Sequence, residues 1–345
     1  MGFNQSSSDA CLYMKDLGRG EWIYLLIYVD DIIVACRLQE EIDKVQRELG
    51  QHFRITALGP VSHFLGIAVT RGDDGIYTIN QGTFIQKIAE EYCLDGAKKS
   101  SIPMDVGYYK HSTNSEYLPD NTKYHSLVGS LLYISTNTRP DIAASISILS
   151  RKIKNPTDVD WTELKRTVKY LYGTANFGLK LGSTVTEGQL KLEAFCDADW
   201  AGDTVDRKSN SGFVFRLGQS SVSWGSRKQP CVSVSTMEAE YVALAEVSQE
   251  ATWLREVQSA PTVVWEDNRS CIDFVALEKQ NRRSKHIDTK FHYVKDLVAG
   301  GAITLRYCAT DNMLADVMTK PLGPAKMRKF ADMLGLVAIK AGHRS

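Results

Sequence analysis

The chain has 345 residues, 43% of them hydrophobic and 24% charged, which is long enough for two or three globular domains with their own cores. Its 41 basic and 41 acidic residues cancel, which excludes nucleic-acid binding through a general positive field and leaves only local basic patches for that role. The seven cysteines form no CxxC pair, so a zinc site or a disulfide framework is disfavoured, and a reducing cytoplasmic or nuclear compartment is expected. No signal-peptide pattern and no bilayer-spanning apolar run is found.

The first distinctive segment is an apolar, β-rich run from Trp22 to Ala35 with Asp30 and Asp31 at its centre. This pattern predicts a buried β-hairpin with the two aspartates at the tight turn. Asp-Asp is ordinary turn chemistry, so a bare structural hairpin is one interpretation. The other is a pair of carboxylates that hold divalent metal ions for nucleotidyl transfer.

The middle of the chain is predicted to be mainly helical. Amphipathic spacing predicts helices at 38–53 and 84–94, with a hairpin around the turn 71–75 between them. The polar segment 100–121 is predicted to be a linker. Helices at 124–135, 140–153 and 158–172 follow, and the stripe of Leu164, Val168 and Leu171 is interpreted as core rather than as a binding surface.

Residues 190–203, LKLEAFCDADWAGD, begin a C-terminal module. Their alternation predicts a strand with Leu192, Ala194 and Cys196 on one face and Asp197 on the other. A surface strand that runs into an acidic turn is one interpretation, and a metal-dependent phosphodiester enzyme is the other. Strands at 211–217 and 221–226, a helix at 236–257 and a strand at 262–265 are predicted next, followed by two helices, a strand and a last helix.

Several collinear segments resemble the Pol polyproteins of copia-type LTR retrotransposons. They are SSSDACLY, YVDD at 28–31, HFLGIAV, VGSLLYISTNTRPDIA, WTELKRTVKYLYGT, DADWAGD, STMEAEYVAL, KHIDTKFHYV and NMLADVMTK. The resemblance implies an α/β and α+β fold: a truncated reverse-transcriptase palm and thumb start at 1–104, and a linker with a helical thumb and connection at 105–189. A ribonuclease H-like mixed sheet with helices on both faces at 190–322 and a C-terminal tail at 323–345 complete it.

One departure from the family concerns the polymerase site. The family carries a first palm aspartate on a strand upstream of YVDD, whereas this chain has only Asp9, Asp16 and Glu21 before Asp30, none of them in a buried apolar strand. We therefore expect Asp30 and Asp31 to be the remaining metal ligands of a polymerase site that is inactive in this chain alone. A polymerase completed by another chain is an alternative.

The resemblance also implies a ribonuclease H site made by four carboxylates. They are Asp197 in the first strand, Glu240 on the long helix, Asp267 at the end of the fourth strand and Asp316 at the start of the last helix. Four acids on these elements predict a site for two Mg²⁺ or Mn²⁺ ions. Glu238 is expected to face solvent, and Glu266 is expected to point away from Asp267 by strand alternation.

A basic stretch at 279–295 is the predicted nucleic-acid contact. It contributes Arg282, Arg283, Lys285, His286 and Lys290, and Arg207 and Lys208 are expected to extend the same surface. Phosphate contact with an RNA–DNA hybrid or template–primer is favoured over a solvated helix face. Asn210 and Asn268 are candidates for reading 2′-hydroxyl groups.

The sequence therefore predicts an intracellular Pol fragment with ribonuclease H-type activity, in a virus-like particle if the parent element is active. Other Pol- or Gag-derived chains are possible partners, and no membrane contact is expected. The rival interpretation is an inactive relic or a repurposed nucleic-acid-binding protein.

Overall fold

The computed structural model describes residues 1–111, 115–182, 190–254, 260–277 and 288–339, and the side chains of 111 and 288–291 are outside this description. The described residues form a mixed α/β structure with two compact units, Met1–Thr70 and Arg71–Ser345. In the part of the chain so described, every helix is too short or too polar to cross a lipid bilayer.

The first unit is built on a four-stranded antiparallel sheet in the order β1-β2-β3-β4. Its elements are β1 (Asn4–Gln5), β2 (Leu12–Gly18), β3 (Glu21–Tyr28), β4 (Asp31–Ala35), α1 (Gln39–His52), β5 (His63–Phe64) and β6 (Ile67–Arg71). The helix predicted at 38–53 is confirmed as α1. Its buried Val45 and Leu49 share a core with Ile23 and Leu25 of β3, because both elements present an apolar face at their own period.

The predicted hairpin is confirmed. The prediction that the hairpin is buried is wrong, because one face of it is exposed. Tyr28 pairs with Asp31, so Val29 and Asp30 form the turn, and Val29 takes the left-handed region at φ 53°. Trp22 and Tyr28 are both more than 40% exposed. Strand alternation buries one face of β3, and the apolar residues of its other face remain exposed.

The second unit begins with a strand and a series of helices. They are β7 (Tyr77–Asn80), α2 (Gly82–Glu91), α3 (Tyr108–His111), α4 (Thr122–Asn137), a 3₁₀ turn (Pro140–Ile142), α5 (Ala143–Ser150) and α6 (Asp158–Gly173). These elements confirm the helices predicted in this region. The stripe of Leu164, Val168 and Leu171 is fully buried, which confirms its interpretation as core.

The segment predicted as a linker packs against α6 instead. Met104 and Tyr108 are fully buried, and the Tyr108 hydroxyl donates a 2.6 Å hydrogen bond to Asp160. The backbone N–H of Asp105 donates to Glu163 at 2.8 Å. Composition suggested a free segment because polar residues dominate it, but two large apolar side chains are enough to dock it on a helix.

The C-terminal part of this unit contains a five-stranded mixed sheet. The remaining elements are β8 (Phe177–Leu181), β9 (Leu192–Asp199), β10 (Asn210–Leu217), β11 (Ser220–Lys228), α7 (Thr236–Leu254), β12 (Thr262–Glu266), α8 (Arg269–Ala276), α9 (Asp288–Ala299), β13 (Ile303–Tyr307), α10 (Asp316–Thr319), α11 (Pro324–Met333) and β14 (Leu336–Ala338). The sheet order is β11-β10-β9-β12-β13, antiparallel from β11 to β9 and parallel from β9 to β13. Outside it, β8 pairs antiparallel with β7 and β14.

Helices cover both faces of this sheet, as predicted. Leu192, Ala194 and Cys196 of β9 pack on the face that carries α7 and α9. Phe195 of β9 points the other way, into a core that α10 and α11 share with α2 and α4–α6. The strand alternation predicted for residues 190–197 is therefore confirmed. The strand β9 is the central strand of the sheet, and helices pack against both of its faces.

Candidate active site

Three of the four predicted carboxylates meet at the carboxyl end of β9. Asp197 lies near the end of that strand, Glu240 in the first turns of α7 and Asp267 just after β12. One carboxylate oxygen from each lies within 4.8 Å of the others. Asp197 and Glu240 are buried and Asp267 is half-buried, so the group is open on one side. Carboxylates converging in this way are the donors that Mg²⁺ and Mn²⁺ prefer.

Neighbouring side chains hold two of these acids in place. Thr319 of α10 donates a hydrogen bond from its hydroxyl to Oδ2 of Asp197. Thr310 donates to Oδ2 of Asp267 at 2.7 Å. Glu240, by contrast, has a buried Oε2 that no hydrogen bond from the described residues reaches. A buried carboxylate oxygen without a hydrogen-bond partner is available to bind a cation.

The fourth predicted carboxylate, Asp316, is fully buried but has different partners. Its Oδ1 lies 2.6 Å from the ammonium group of Lys320, and its Oδ2 is paired with Lys326 of α11. Lys320 also lies 3.7 Å from Oδ2 of Asp197. The assignment of Asp316 as a metal ligand stays a prediction, because the acids that converge are the other three.

Burial shapes the protonation of the site. Burial raises the pKa of Asp197 to about 7, with Lys320 acting in the opposite direction and Asp316 in the same one. Burial first, and then the charge of Glu266, raise the pKa of Glu240 well above its ordinary value. In each case the low-polarity surroundings disfavour the charged form, whereas a nearby positive charge favours it.

Glu266 is a further buried carboxyl in this region. It is fully buried, and the expectation that it points away from Asp267 stays a prediction. Burial raises its pKa to about 8, and its charge is the first electrostatic influence on Glu240. Strand alternation alone does not show that Glu266 lies close enough to Glu240 to raise its pKa.

Glu238 corrects one expectation. It is buried rather than solvent-facing, and its Oε2 accepts a 2.7 Å hydrogen bond from the backbone N–H of Val234. Its own N–H donates to the hydroxyl of Ser235 at 3.2 Å. Ser235 and Glu238 have the S-x-x-E spacing of a capping box, which indicates that Glu238 belongs to the start of the helix rather than to its solvent-exposed face.

Sequence reasoning missed the two lysines that pair with Asp316. Lys320 follows Asp316 by four positions, a spacing that brings side chains together on a helix and could have revealed it. Lys326 lies on the next helix, and no local spacing indicates its contact with Asp316.

Most of the predicted nucleic-acid contacts lie outside the described residues. These are Arg282, Arg283, Lys285 and His286, together with the side chain of Lys290 in α9. Arg207 is exposed and Lys208 half-buried in the turn after β9. These assignments stay predictions.

The two asparagines proposed to read 2′-hydroxyl groups are already engaged. The amide of Asn210 donates to the Thr319 carbonyl at 2.8 Å, and its oxygen accepts from Arg151. Asn268 caps α8 by accepting from the N–H of Cys271 at 3.1 Å. Asn210 is 3% exposed, so it is wrong as a candidate for substrate contact.

Asp30 lies in the hairpin turn of the first unit, whereas Asp31, also predicted there, begins β4; both are exposed. Among the described residues, no third acid joins them in a metal-binding group. Their role as polymerase metal ligands stays a prediction.

Comparisons with known proteins cover almost the whole chain. A family described as "Reverse transcriptase (RNA-dependent DNA polymerase)" matches residues 1–106. The Retrovirus-related Pol polyprotein from transposon RE2 of Arabidopsis thaliana is 34% identical over 98% of this chain and 23% of that protein. The putative transposon Ty5-1 protein of Saccharomyces cerevisiae is 32% identical over 72% of this chain and 80% of that protein. The chain spans about a quarter of the length of the plant Pol polyproteins that it matches.

Among solved structures, the foamy viral protease-reverse transcriptase in complex with RNA/DNA hybrid is similar to this chain at 15% identity. The TM-score is 0.45, over 83% of this chain and 36% of that one.

Proposed function

The chain belongs to the copia-type retrotransposon Pol polyprotein family, and from that premise we propose that its C-terminal module cleaves RNA in RNA–DNA hybrids with divalent metal ions. The observation that supports this most strongly is the convergence of Asp197, Glu240 and Asp267 at the open end of a mixed sheet. Hydrolysis of a phosphodiester needs charge stabilisation at the phosphorus and an activated water, and a carboxylate-bound metal pair is suited to both.

The residues present fit such ions. Three carboxylates supply hard oxygen donors, and the unpartnered Oε2 of Glu240 leaves one of them without a competing hydrogen bond. Asp197, Glu240 and Asp267 would hold Mg²⁺ or Mn²⁺, with Asp316 as the predicted fourth ligand. When bound, the ions supply a water of lowered pKa and neutralise the charge that develops on the phosphate.

The protein's own groups have separate tasks in this proposal. Thr319 and Thr310 orient Asp197 and Asp267 through hydrogen bonds to their Oδ2 atoms. The half-buried Asp267 is the most exposed of the three acids and would face the incoming strand, while the buried Glu240 would hold a metal ion from within. The basic stretch at 279–295 and Arg207 would contact the phosphates of the hybrid or of a template–primer.

Cleavage of a labelled RNA–DNA hybrid by the full chain tests the proposal. With Mg²⁺ or Mn²⁺ we expect cuts in the RNA strand of the hybrid and much less cutting of single-stranded RNA. Asp197→Asn should abolish cleavage, whereas Asp206→Asn, in the turn after β9, should retain it. A folded chain that leaves the hybrid intact with either ion would contradict the proposal.

The rival function is nucleic-acid binding without cleavage. It predicts that hybrid binds the full chain equally well with or without Asp197, and that no product appears. Neutralising Arg282, Arg283 and Lys285 together should weaken binding and lower the log–log salt slope by roughly one unit per lost phosphate contact. An unchanged slope would mean that the basic stretch is only a solvated face.

Polymerase activity is a separate question. Asp30 and Asp31 lack a third acid among the described residues, and no observation on the first unit favours nucleotidyl transfer over a structural hairpin. An intracellular location, virus-like particle assembly and contact with other Pol- or Gag-derived chains stay predictions.

A further inference from the structure

Lys320 occupies a central position among the acids of the candidate site. Its ammonium group lies 2.6 Å from Oδ1 of Asp316 and 3.7 Å from Oδ2 of Asp197. It therefore bridges the predicted fourth ligand and one member of the converging group. A single positive charge in this place reduces the repulsion between the two carboxylates, as a metal ion bound between them would also do.

Each oxygen of Asp316 lies in an ion pair, although Oδ1 accepts no hydrogen bond from the described residues. Lys326 pairs with Oδ2 and Lys320 with Oδ1, while the carboxylate itself is fully buried. A buried carboxylate without a counter-charge is costly, so these two ion pairs offset the cost of burying Asp316. For Asp316 to bind a metal ion through Oδ1, Lys320 would have to leave.

Lys320 is able to leave, because its position differs from that of its partners. Its side chain is 34% exposed, whereas that of Asp316 is completely buried. It follows the last residue of α10 in an extended conformation, with φ −148° and ψ 155°, so its long side chain is not confined within a helix. Lys326 would still pair with Asp316 after Lys320 moved.

We propose that Lys320 is a built-in counter-cation that occupies the place of the second divalent ion. One ion binds to Asp197, Glu240 and Asp267, and a second ion binds between Asp197 and Asp316 only by displacing the Lys320 ammonium group. Lys320 is thus a positioning residue that sets the affinity for the second ion. This inference rests on the metal site of the proposed function, but not on hybrid cleavage.

Mn²⁺ titration of the full chain, followed by electron paramagnetic resonance and calorimetry without nucleic acid, tests this inference. We expect the unaltered chain to bind one ion tightly. Lys320→Met keeps most of the length of the side chain and removes its charge, and we expect it to bind a second ion at least roughly tenfold more tightly than the unaltered chain does. Lys320→Arg keeps the charge and should resemble the unaltered chain.

A matched control is Lys329→Met, because Lys329 lies on α11 and its ammonium group binds the Asp311 carbonyl and the Asn312 side chain instead. It removes the same charge without touching the acids, so its Mn²⁺ binding should be unchanged. A similar gain in Lys329→Met would overturn the inference, since the effect would then be one of net charge.

The double variant Lys320→Met with Asp316→Asn identifies the ligand of the second ion. It should lose the second ion that Lys320→Met gains and keep the first. Two tight ions in the double variant, or identical Mn²⁺ isotherms for the unaltered chain and Lys320→Met, would overturn the inference.

Thermal melting in a chelator checks that each variant is folded, and Lys320→Gln replaces Lys320→Met if the latter is unfolded. A chain that binds Mn²⁺ as described but leaves the hybrid intact would contradict the proposed function alone.

Discussion

Thr319 on α10 donates a hydrogen bond to Oδ2 of Asp197 on β9, although the two residues are 122 positions apart. The bond ties a short helix to the central strand at the point where the candidate metal ligands converge. It also orients the Asp197 carboxylate, and it lowers the pKa of a group whose burial raises it to about 7.

Thr319→Val is therefore expected to impair cleavage through Asp197 rather than through folding. Valine has nearly the same shape but cannot donate a hydrogen bond, so the pKa of Asp197 should rise further. Because Mg²⁺ must displace the proton of Asp197, we expect the pH profile of Mg²⁺ binding to move to higher pH, with binding and cleavage regained in alkaline buffer. Thr319→Ser should restore the original profile, and an unchanged profile for Thr319→Val would contradict this role.

The raised pKa of Asp197 predicts how metal-free stability depends on pH. Its ordinary value is 3.8 and its value in the folded protein is about 7, so in this interval the folded chain binds more protons than the unfolded chain. The contribution of Asp197 to stability is fully present below about pH 4 and is lost as the pH rises towards 7. Glu266, whose pKa is raised to about 8, acts in the same direction.

Urea unfolding in a chelator between pH 5 and pH 9 measures this effect. Asp197→Asn should be more stable than the unaltered chain at pH 8, by an amount that shrinks as the pH falls. Saturating Mg²⁺ or Mn²⁺ should stabilise the unaltered chain by binding only its folded state, and Asp197→Asn much less. A constant difference between the two chains across this range would contradict the assignment.

Glu238 and Glu240 should respond differently to substitution, although they are only two residues apart. Glu240→Gln should abolish hybrid cleavage and leave the metal-free fold at least as stable, because it removes a carboxyl whose ionisation burial and Glu266 oppose. Glu238→Ala should retain cleavage but lower the free energy of unfolding by about 1 kcal/mol, the usual effect of a lost helix cap. Cleavage assays and urea unfolding on both variants decide between the roles, and the reverse ranking would reverse the assignment.

Gly212 is expected to be essential for the approach of α10 to the sheet. It lies opposite Asp197 on β10, and a Cβ there would come within 2.6 Å of Thr319 Cγ2 and 2.7 Å of Met318 Cβ. Gly212→Ala should destabilise the fold by roughly 1–3 kcal/mol, as overpacked sites do, and should reduce cleavage by displacing Thr319 from Asp197. Gly129→Ala is the control, because nothing lies within 4 Å of its added Cβ.

The core that supports the candidate site extends beyond residues 190–322 on both sides. Residues 190–322 contain all four predicted acids, but Lys326, the partner of Asp316, lies beyond them. Phe195 and Val214 share a core with Leu127 and Ile146 of α4 and α5 before this range, and with Phe330 of α11 after it.

A fragment of residues 190–322 should therefore expose apolar surface and fail to unfold cooperatively, whereas a fragment of residues 71–345 should show one sharp transition. Circular dichroism and urea titration of the two fragments measure this. A stable, cleavage-competent fragment of residues 190–322 would contradict the expectation.

The sequence by itself determined most of the helices and the two faces of the central strand β9. The alternation in LKLEAFCD predicts that Cys196 and Asp197 point to different faces of their strand. In the structure Cys196 packs in the core beneath α7, and Asp197 accepts a hydrogen bond from α10 on the other face of β9. The helical stripe of Leu164, Val168 and Leu171 likewise predicted core correctly. Such patterns are readable because strand and helix periods repeat within a few residues, so local spacing alone defines which side chains share a face.

Only the tertiary structure showed which side chains contact the residues on those faces. Asp316 was recognisable as an acid at a helix start, but its pairing with Lys326 depends on how α11 packs beside α10. Glu266 was recognisable as an acid at the end of a strand, yet its full burial and its influence on the pKa of Glu240 follow from tertiary packing. These contacts join residues far apart in the chain, and their energies depend on burial and on distances of a few ångströms, which a one-dimensional pattern does not contain.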